Sequence, residues 1–232
     1  MNLRFGQIIN HSSKKLLFRV TALIFMLVLT ACQGLGLPGA SGDQQAGSGE
    51  VYFKDDFSDP SSGWDRLSGD GGTTDYFEGT YRIQVTQPKR TLWANPKLLF
   101  NDLRIEADVT KAEGSDNNVF GLICRYQDEA NFYAFFISSD GYYGITKVIE
   151  GAGPKLLGTD KMAASEIIKK GNATNHLRGD CVANKLTLYV NGQMLTSMED
   201  PDLDVGDVGL LTGVFGDTSL DVRFDNLVVS SP

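Results

Sequence analysis

Leu103-Arg-Ile-Glu-Ala-Asp-Val109 alternates without a break. Leu103, Ile105, Ala107 and Val109 fall on one face, and Arg104, Glu106 and Asp108 on the other. Strand side chains point alternately to opposite faces, so this stretch predicts a half-buried antiparallel strand. Lys185-Leu-Thr-Leu-Tyr-Val190 and Asp221-Val-Arg-Phe-Asp-Asn-Leu-Val-Val229 do much the same. Working outward, the pattern predicts strands near 51–57, 74–78, 80–86, 91–95, 98–110, 118–127, 131–138, 142–149, 155–158, 175–181, 185–191, 193–198, 207–213 and 219–229. Glu78-Gly79, Asp140-Gly141, Glu150-Gly151, Ala183-Asn184, Asn191-Gly192 and Gly216-Asp217 read as turns between them. Asn191-Gly192 is the strongest hairpin signal, since both residues accept the positive φ of a type I′ turn. Only Lys161–Lys169 reads as helical. Many short, evenly punctuated strands predict an all-β sandwich or barrel.

The 232 residues, 41% of them hydrophobic, suit one such domain plus a tail, or at most two small domains. Acids outnumber bases 29 to 21. Nucleic acid is excluded as a main partner, because phosphate binding needs clustered Lys and Arg. Four of the bases (Arg4, Lys14, Lys15, Arg19) and none of the acids lie in the first 31 residues. The remainder is therefore strongly acidic and would repel polyanions.

Those four bases precede Val20-Thr-Ala-Leu-Ile-Phe-Met-Leu-Val-Leu29. This apolar run is too short for a mature bilayer span of about 20 residues, and it fits the core of a secretory signal. It ends in Leu29-Thr30-Ala31-Cys32, which resembles the bacterial lipoprotein signal. The resemblance implies cleavage before Cys32, acylation of that cysteine and a lipid-anchored, extracytoplasmic protein on the cell or outer membrane. Two or three acyl chains hold a protein stably where one does not. The resemblance also implies, from Gln33 rather than Asp after the cysteine, sorting towards the outer membrane where there are two. Gln33–Glu50 is rich in Gly and reads as a flexible tether spanning roughly 20–25 Å. The expected organisation is a signal peptide over 1–31, lipidated Cys32 and tether over 32–50, and a β-domain over 51–232.

An exported chain meets an oxidising compartment. Cys124 shares the apolar face of Phe120 and Leu122, and Cys181 that of Leu177. A disulfide between two strands of one sheet is the expectation, with two buried free thiols as the alternative. These cysteines and the single mature-chain histidine, His176, do not make a zinc site.

Several motifs then fall in a distinctive order: Asp55-Asp-Phe-Ser-Asp-Pro-Ser-Ser-Gly-Trp64, Phe120-Gly-Leu-Ile-Cys-Arg-Tyr126, Asn131-Phe-Tyr133, Asp140-Gly-Tyr-Tyr143, Asn175-His-Leu177, Leu188-Tyr-Val-Asn-Gly192, Val208-Gly-Leu210 and Phe224-Asp-Asn226. Over Val51–Val229 the chain resembles the concanavalin A-like lectin/glucanase superfamily. The nearest forms are its laminin-G-like, 3-keto-disaccharide-hydrolase-type and family-16-glycosidase-like domains. The resemblance implies a jelly roll of two curved antiparallel sheets, often with a sugar-binding concave face.

Family-16 enzymes carry Glu-x-Asp-x-x-Glu on one strand, with nucleophile and general acid about 5 Å apart. Here Glu106-Ala-Asp108 is followed by Lys111 in place of the last Glu. The pair reads as the wet face of a strand. There is no Gly-x-Ser-x-Gly nucleophile elbow to partner His176, and no catalytic residue is assigned. No cofactor is expected, although Asp55, Asp56 and Asp225 offer hard oxygens for a structural calcium.

Parity nominates a ligand site instead. With Phe120, Leu122 and Cys124 inward, Arg125 faces out; with Tyr133, Phe135 and Ile137 inward, Phe132 and Phe136 face out; with Tyr143 and Ile145 inward, Tyr142 faces out. These four would form an aromatic patch with a guanidinium on one sheet face, suited to a sugar ring. The alternative is that the aromatics pack under a long loop such as 151–175. Trp64 and Trp93 read as core plugs, because large rings are mostly buried. Carbohydrate is the expected partner and a non-catalytic binding module the expected function. A hydrolase of 3-keto-disaccharide type and a structural or protein-contact module stand as alternatives.

Overall fold

The computed structural model describes residues 49–216 and 219–232. The expected signal peptide, Cys32 and the tether up to residue 48 lie outside the described residues. Alternation does build two antiparallel sheets, and the protein is an all-β jelly-roll sandwich.

The first sheet centres on β6 (Leu103–Gly114) and β16 (Leu220–Ser230), paired along most of their length. Beyond β6 lie β12 (Thr174–Val182), β13 (Lys185–Val190) and β14 (Gln193–Glu199). Beyond β16 lie β4 (Thr80–Val85), β3 (Gly72–Phe77) and β2 (Leu67–Gly69), while β1 (Val51–Asp55) pairs with the far half of β16. The second sheet runs β10 (Lys155–Leu156), β9 (Tyr142–Val148), β8 (Asn131–Ile137), β7 (Asn118–Asp128), β15 (Asp207–Val214) and β5 (Thr91–Ala94), with β11 (Ala163–Ala164) on β9. The turn Asn191-Gly192 has φ of 49° and 80°, as a type I′ turn requires.

The apolar faces meet between the sheets. Leu103, Ile105, Ala107 and Val109 of β6 are fully buried, as are Leu122, Tyr133, Phe135 and Ile137 from the opposite sheet. The sheets approach closely because Gly179 of β12 has no side chain. A Cβ there would stand 2.4 Å from the Phe135 ring. Among the described residues every strand has its partner in one of the two sheets, and the two ends of the domain clasp through Ser231 N donating to Glu50 O (2.8 Å). Ala46–Pro232 forms one compact unit.

Three expectations are corrected. Lys161–Lys169 is not helical but holds β11 and turns. Side-chain amides take over its backbone groups: Asn175 accepts from Lys169 N and donates to Lys169 O (both 2.9 Å), and Asn191 donates to Ile167 O (2.8 Å). The strand expected over 98–110 starts only at Leu103, because Lys97 takes a φ of 65° and Phe100 makes a lone bridge to Gly206.

The third correction concerns the cysteines. Cys124 and Cys181 form a disulfide with Cα atoms 6.9 Å apart. They belong to β7 and β12, however, and so to opposite sheets rather than one. Inward parity puts both thiols between the sheets, and the bridge crosses the core.

Candidate functional site

Parity places Phe132, Ala134 and Phe136 on the outer face of the second sheet, together with Val119 and Ile123 of β7 and Leu211 of β15. Trp93 of the edge strand β5 joins them, since Trp93 is opposite Leu211 in the ladder. The result is a groove of about 850 Å³. Its floor is Ile123, Ala134 and Leu211, all buried although they face away from the main core. Tyr126, Phe132 and Trp93 cluster over one side, with ring centroids 5.9 Å (Tyr126–Phe132) and 6.3 Å (Trp93–Phe132) apart. Phe136 and Tyr142 line the groove nearby, and Pro154 and Met162 come from the connections after β9. Phe136 can lie across β9 because residue 144 is Gly; a Cβ there would be 2.8 Å from the Phe136 ring. Among the described lining residues, charge is confined to exposed side chains, Glu129, Asp160 and Lys161.

Three of the four nominated residues are thus brought together. Tyr142 is 42% exposed, Phe132 is half-buried, and Phe136 is covered, with Leu156 beside its ring position over Gly144. Arg125 is a correction. It is 1% exposed and faces inward. The β7–β8 register shifts between Cys124 and Asp128, and Arg125 takes a φ of 53°. This bulge turns the chain by one residue, which sends the side chain to the opposite face. Its guanidinium donates to Leu203 O (2.7 Å) and Ala183 O (2.5 Å) instead of to a ligand. Trp93 is the reverse case. It was expected in the core and lines the groove, whereas Trp64 is buried in the core.

Glu106 and Asp108 lie on the other sheet, on the exposed side of β6. His176 of β12 stands opposite Asp108 in the ladder. Its Nδ1 is 2.9 Å from Asp108 Oδ1 and its Nε2 is 3.8 Å from Glu106 Oε2. Asn226 Nδ2 donates to the remaining Asp108 oxygen (3.0 Å). Among the described residues no Ser, Thr or Cys lines the 190 Å³ cleft beside His176. Glu106, and then Asp108, hold the imidazole pKa up to about 9 against the opposing effect of burial. His176 in turn lowers the pKa of Glu106. Because the folded pKa exceeds the unfolded value near 6.5, the histidine's contribution to stability is full below pH 6.5 and fades as pH rises through about 9. The side chain is 44% exposed, so solvent screening limits that contribution to about 1 kcal/mol or less. A ring titration by NMR should give a midpoint near 9, returning towards 6.5 in the Glu106→Gln/Asp108→Asn variant; a wild-type midpoint below 7 would show that the cluster does not form.

The calcium candidates are already engaged. Asp55 accepts from Phe57 N (2.7 Å), Ser62 Oγ (2.5 Å) and Trp64 Nε1 (2.9 Å). Asp56 accepts from Ser58 N (3.0 Å), and Asp225 from Asn226 N (2.7 Å). Among the described residues no group of three or more His, Cys, Asp or Glu is placed to hold a metal ion.

No protein-family model matches the chain, and no curated protein matches it in sequence. Solved structures match its fold. The carbohydrate-binding module CBM66 from Bacillus subtilis is similar with a TM-score of 0.59 at 18% identity, covering 73% of this chain and 96% of that one. The β-glucanase of Bacillus licheniformis gives 0.58 at 13%, covering 80% and 100%. A Bacillus subtilis protein of unknown function with a galectin-like fold gives 0.57 at 12%, covering 79% and 96%.

Proposed function

We propose that this chain is a membrane-anchored bacterial surface lipoprotein whose sandwich binds carbohydrate without cleaving it. The observation that carries the proposal is the groove on the second sheet, where Trp93, Phe132 and Tyr142 offer ring surface to a ligand and Phe136 lines the wall beneath. Pockets of this size that combine aromatic walls with a few polar groups hold small ligands. The similarity in fold to a carbohydrate-binding module and a β-glucanase supports a sugar as part of that ligand. Binding is favoured over cleavage because Glu106 and Asp108 are engaged with His176 on the opposite sheet, and because Lys111, which stands at the place of the third acid, is buried and paired with Asp116. The lipid anchor rests on Leu29-Thr30-Ala31-Cys32 behind its basic and apolar segments.

A glycan array with Ala46–Pro232 should return hits, and product analysis of those hits should find them intact. Tyr142→Ala and Trp93→Ala should each weaken binding by about 10-fold to 30-fold, as expected for truncating an aromatic anchor. The exposed Tyr142 should leave the melting temperature nearly unchanged. Cleaved products would support the 3-keto-disaccharide hydrolase alternative. An array empty of free glycans and glycolipids alike would remove the carbohydrate proposal and leave a structural or protein-contact module. For the anchor, membrane fractionation should release Cys32→Ala from the lipid-bound state. Unchanged retention and processing of that variant would overturn lipidation.

A further inference from the structure

The floor of the groove does not suit hydroxyl groups. Ile123, Ala134 and Leu211 are aliphatic and buried, and the half-buried Val119, Leu156 and Met162 that line the groove with them are apolar too. The strands beneath the floor, from β15 through β7 to β9, are paired on both sides, so their backbone groups are directed into the ladders. Thr146, opposite Ala134 in the β8–β9 ladder, already donates its hydroxyl to Lys155 O (2.9 Å). A sugar ring pressed onto this floor would lose water from its hydroxyls and find no partner for them, at a cost of about 1–3 kcal/mol for each unpaired group. A methylene chain meets no such penalty there. Polar partners are found at exposed positions of the lining, at Glu129, Asp160, Lys161 and Thr91.

We infer that the ligand of this groove is amphipathic, a saccharide head carrying an alkyl or acyl chain, with the chain on the aliphatic floor and the head at the polar rim. This rests on the carbohydrate proposal and narrows it. The match is one of polarity along a single groove: dry in its depth, charged and hydroxyl-bearing at its edge. A free polysaccharide would fit only the rim.

The test uses Ala46–Pro232 and octyl glycosides of glucose, galactose and mannose below their micelle concentrations, with methyl, butyl and hexyl homologues, 1-octanol and a chain-free oligosaccharide panel. Binding is read by calorimetry and by Trp93 fluorescence. Affinity should rise by up to about fourfold per buried methylene, hence on the order of a hundredfold from butyl to octyl. At least one octyl glycoside should bind at least tenfold tighter than octanol. Ala134→Phe, which fills the floor from outside the main core, should flatten the dependence on chain length. Met162→Asp, from the half-buried connection after β10, should do so without touching the sheet. Chain-free oligosaccharides binding as tightly as octyl glycosides would overturn the inference and leave the carbohydrate proposal standing. Octanol binding as tightly as every glycoside would overturn both the saccharide head and the carbohydrate proposal. Binding of none of these compounds would overturn both.

Discussion

Arg125→Ala is expected to destabilise the sandwich by roughly 3 kcal/mol while leaving ligand binding by the folded fraction within about twofold. The side chain is almost wholly inside, at the end of the sandwich where three segments meet. Its guanidinium donates to Leu203 O in the connection before β15, to Ala183 O in the β12–β13 turn, and to Asp102 Oδ1 (3.4 Å) just before β6. Asp102 also accepts from Ala183 N (2.8 Å), so the turn is held from both sides. Removing the guanidinium leaves two carbonyls without their donor, at about 1–3 kcal/mol each, and adds a cavity. Lysine should recover only part of the loss, since one ammonium replaces a planar fork of donors. Urea unfolding measures the effect, and a domain of this size should melt about 10 °C lower. A loss below 1 kcal/mol, or a specific loss of ligand binding at full stability, would return Arg125 to the ligand-facing role that parity alone assigns it.

That contrast shows where the sequence was legible. Along β6 the outward residues Arg104, Glu106 and Asp108 meet water, so alternation could be read directly and the burial follows it position by position. Along β7 the outward residues Val119 and Ile123 are apolar because the groove covers them, and β7 carries little alternation to read. A bulge at Arg125 leaves no local mark either, because arginine has no preference for positive φ. Phe132, Phe136 and Tyr142 were readable because β8 and β9 keep their register across the groove. Trp93 was missed for a different reason. Its size argues for burial, and only the place of β5 at the edge of the second sheet turns it to the groove. Inward parity at Cys124 and Cys181 was readable, but parity is the same whether two strands share a sheet or face each other across the core. The partition into sheets depends on long connections that alternation does not encode.

Removing the Cys124–Cys181 bridge is the other large effect, expected at about 2–4 kcal/mol in the Cys124→Ala/Cys181→Ala variant. The closed loop spans a separation of 57 residues, and the chain-entropy account gives about 4 kcal/mol for a loop of that length. Both cysteines are fully buried, so alanine also leaves a small void, whereas serine would bury unpaired hydroxyls and confuse the measurement. Reductant alone should leave the native protein bridged, and reductant with urea should shift the unfolding midpoint of the wild type to near that of the variant. Two titratable thiols in protein purified from an oxidising compartment would sink the idea. The bridge and Arg125 are also coupled by the bulge. It lets two consecutive residues, Cys124 and Arg125, both point inward, one tying β7 to the opposite sheet and the other tying the adjoining turns. Losing the bridge frees the strand that aims the guanidinium, so the two costs should not add. A triple variant should fall short of the sum by more than the few tenths of a kcal/mol seen for independent sites. Strict additivity would mean that each acts alone, and that the bulge sets a direction without joining the two ties into one.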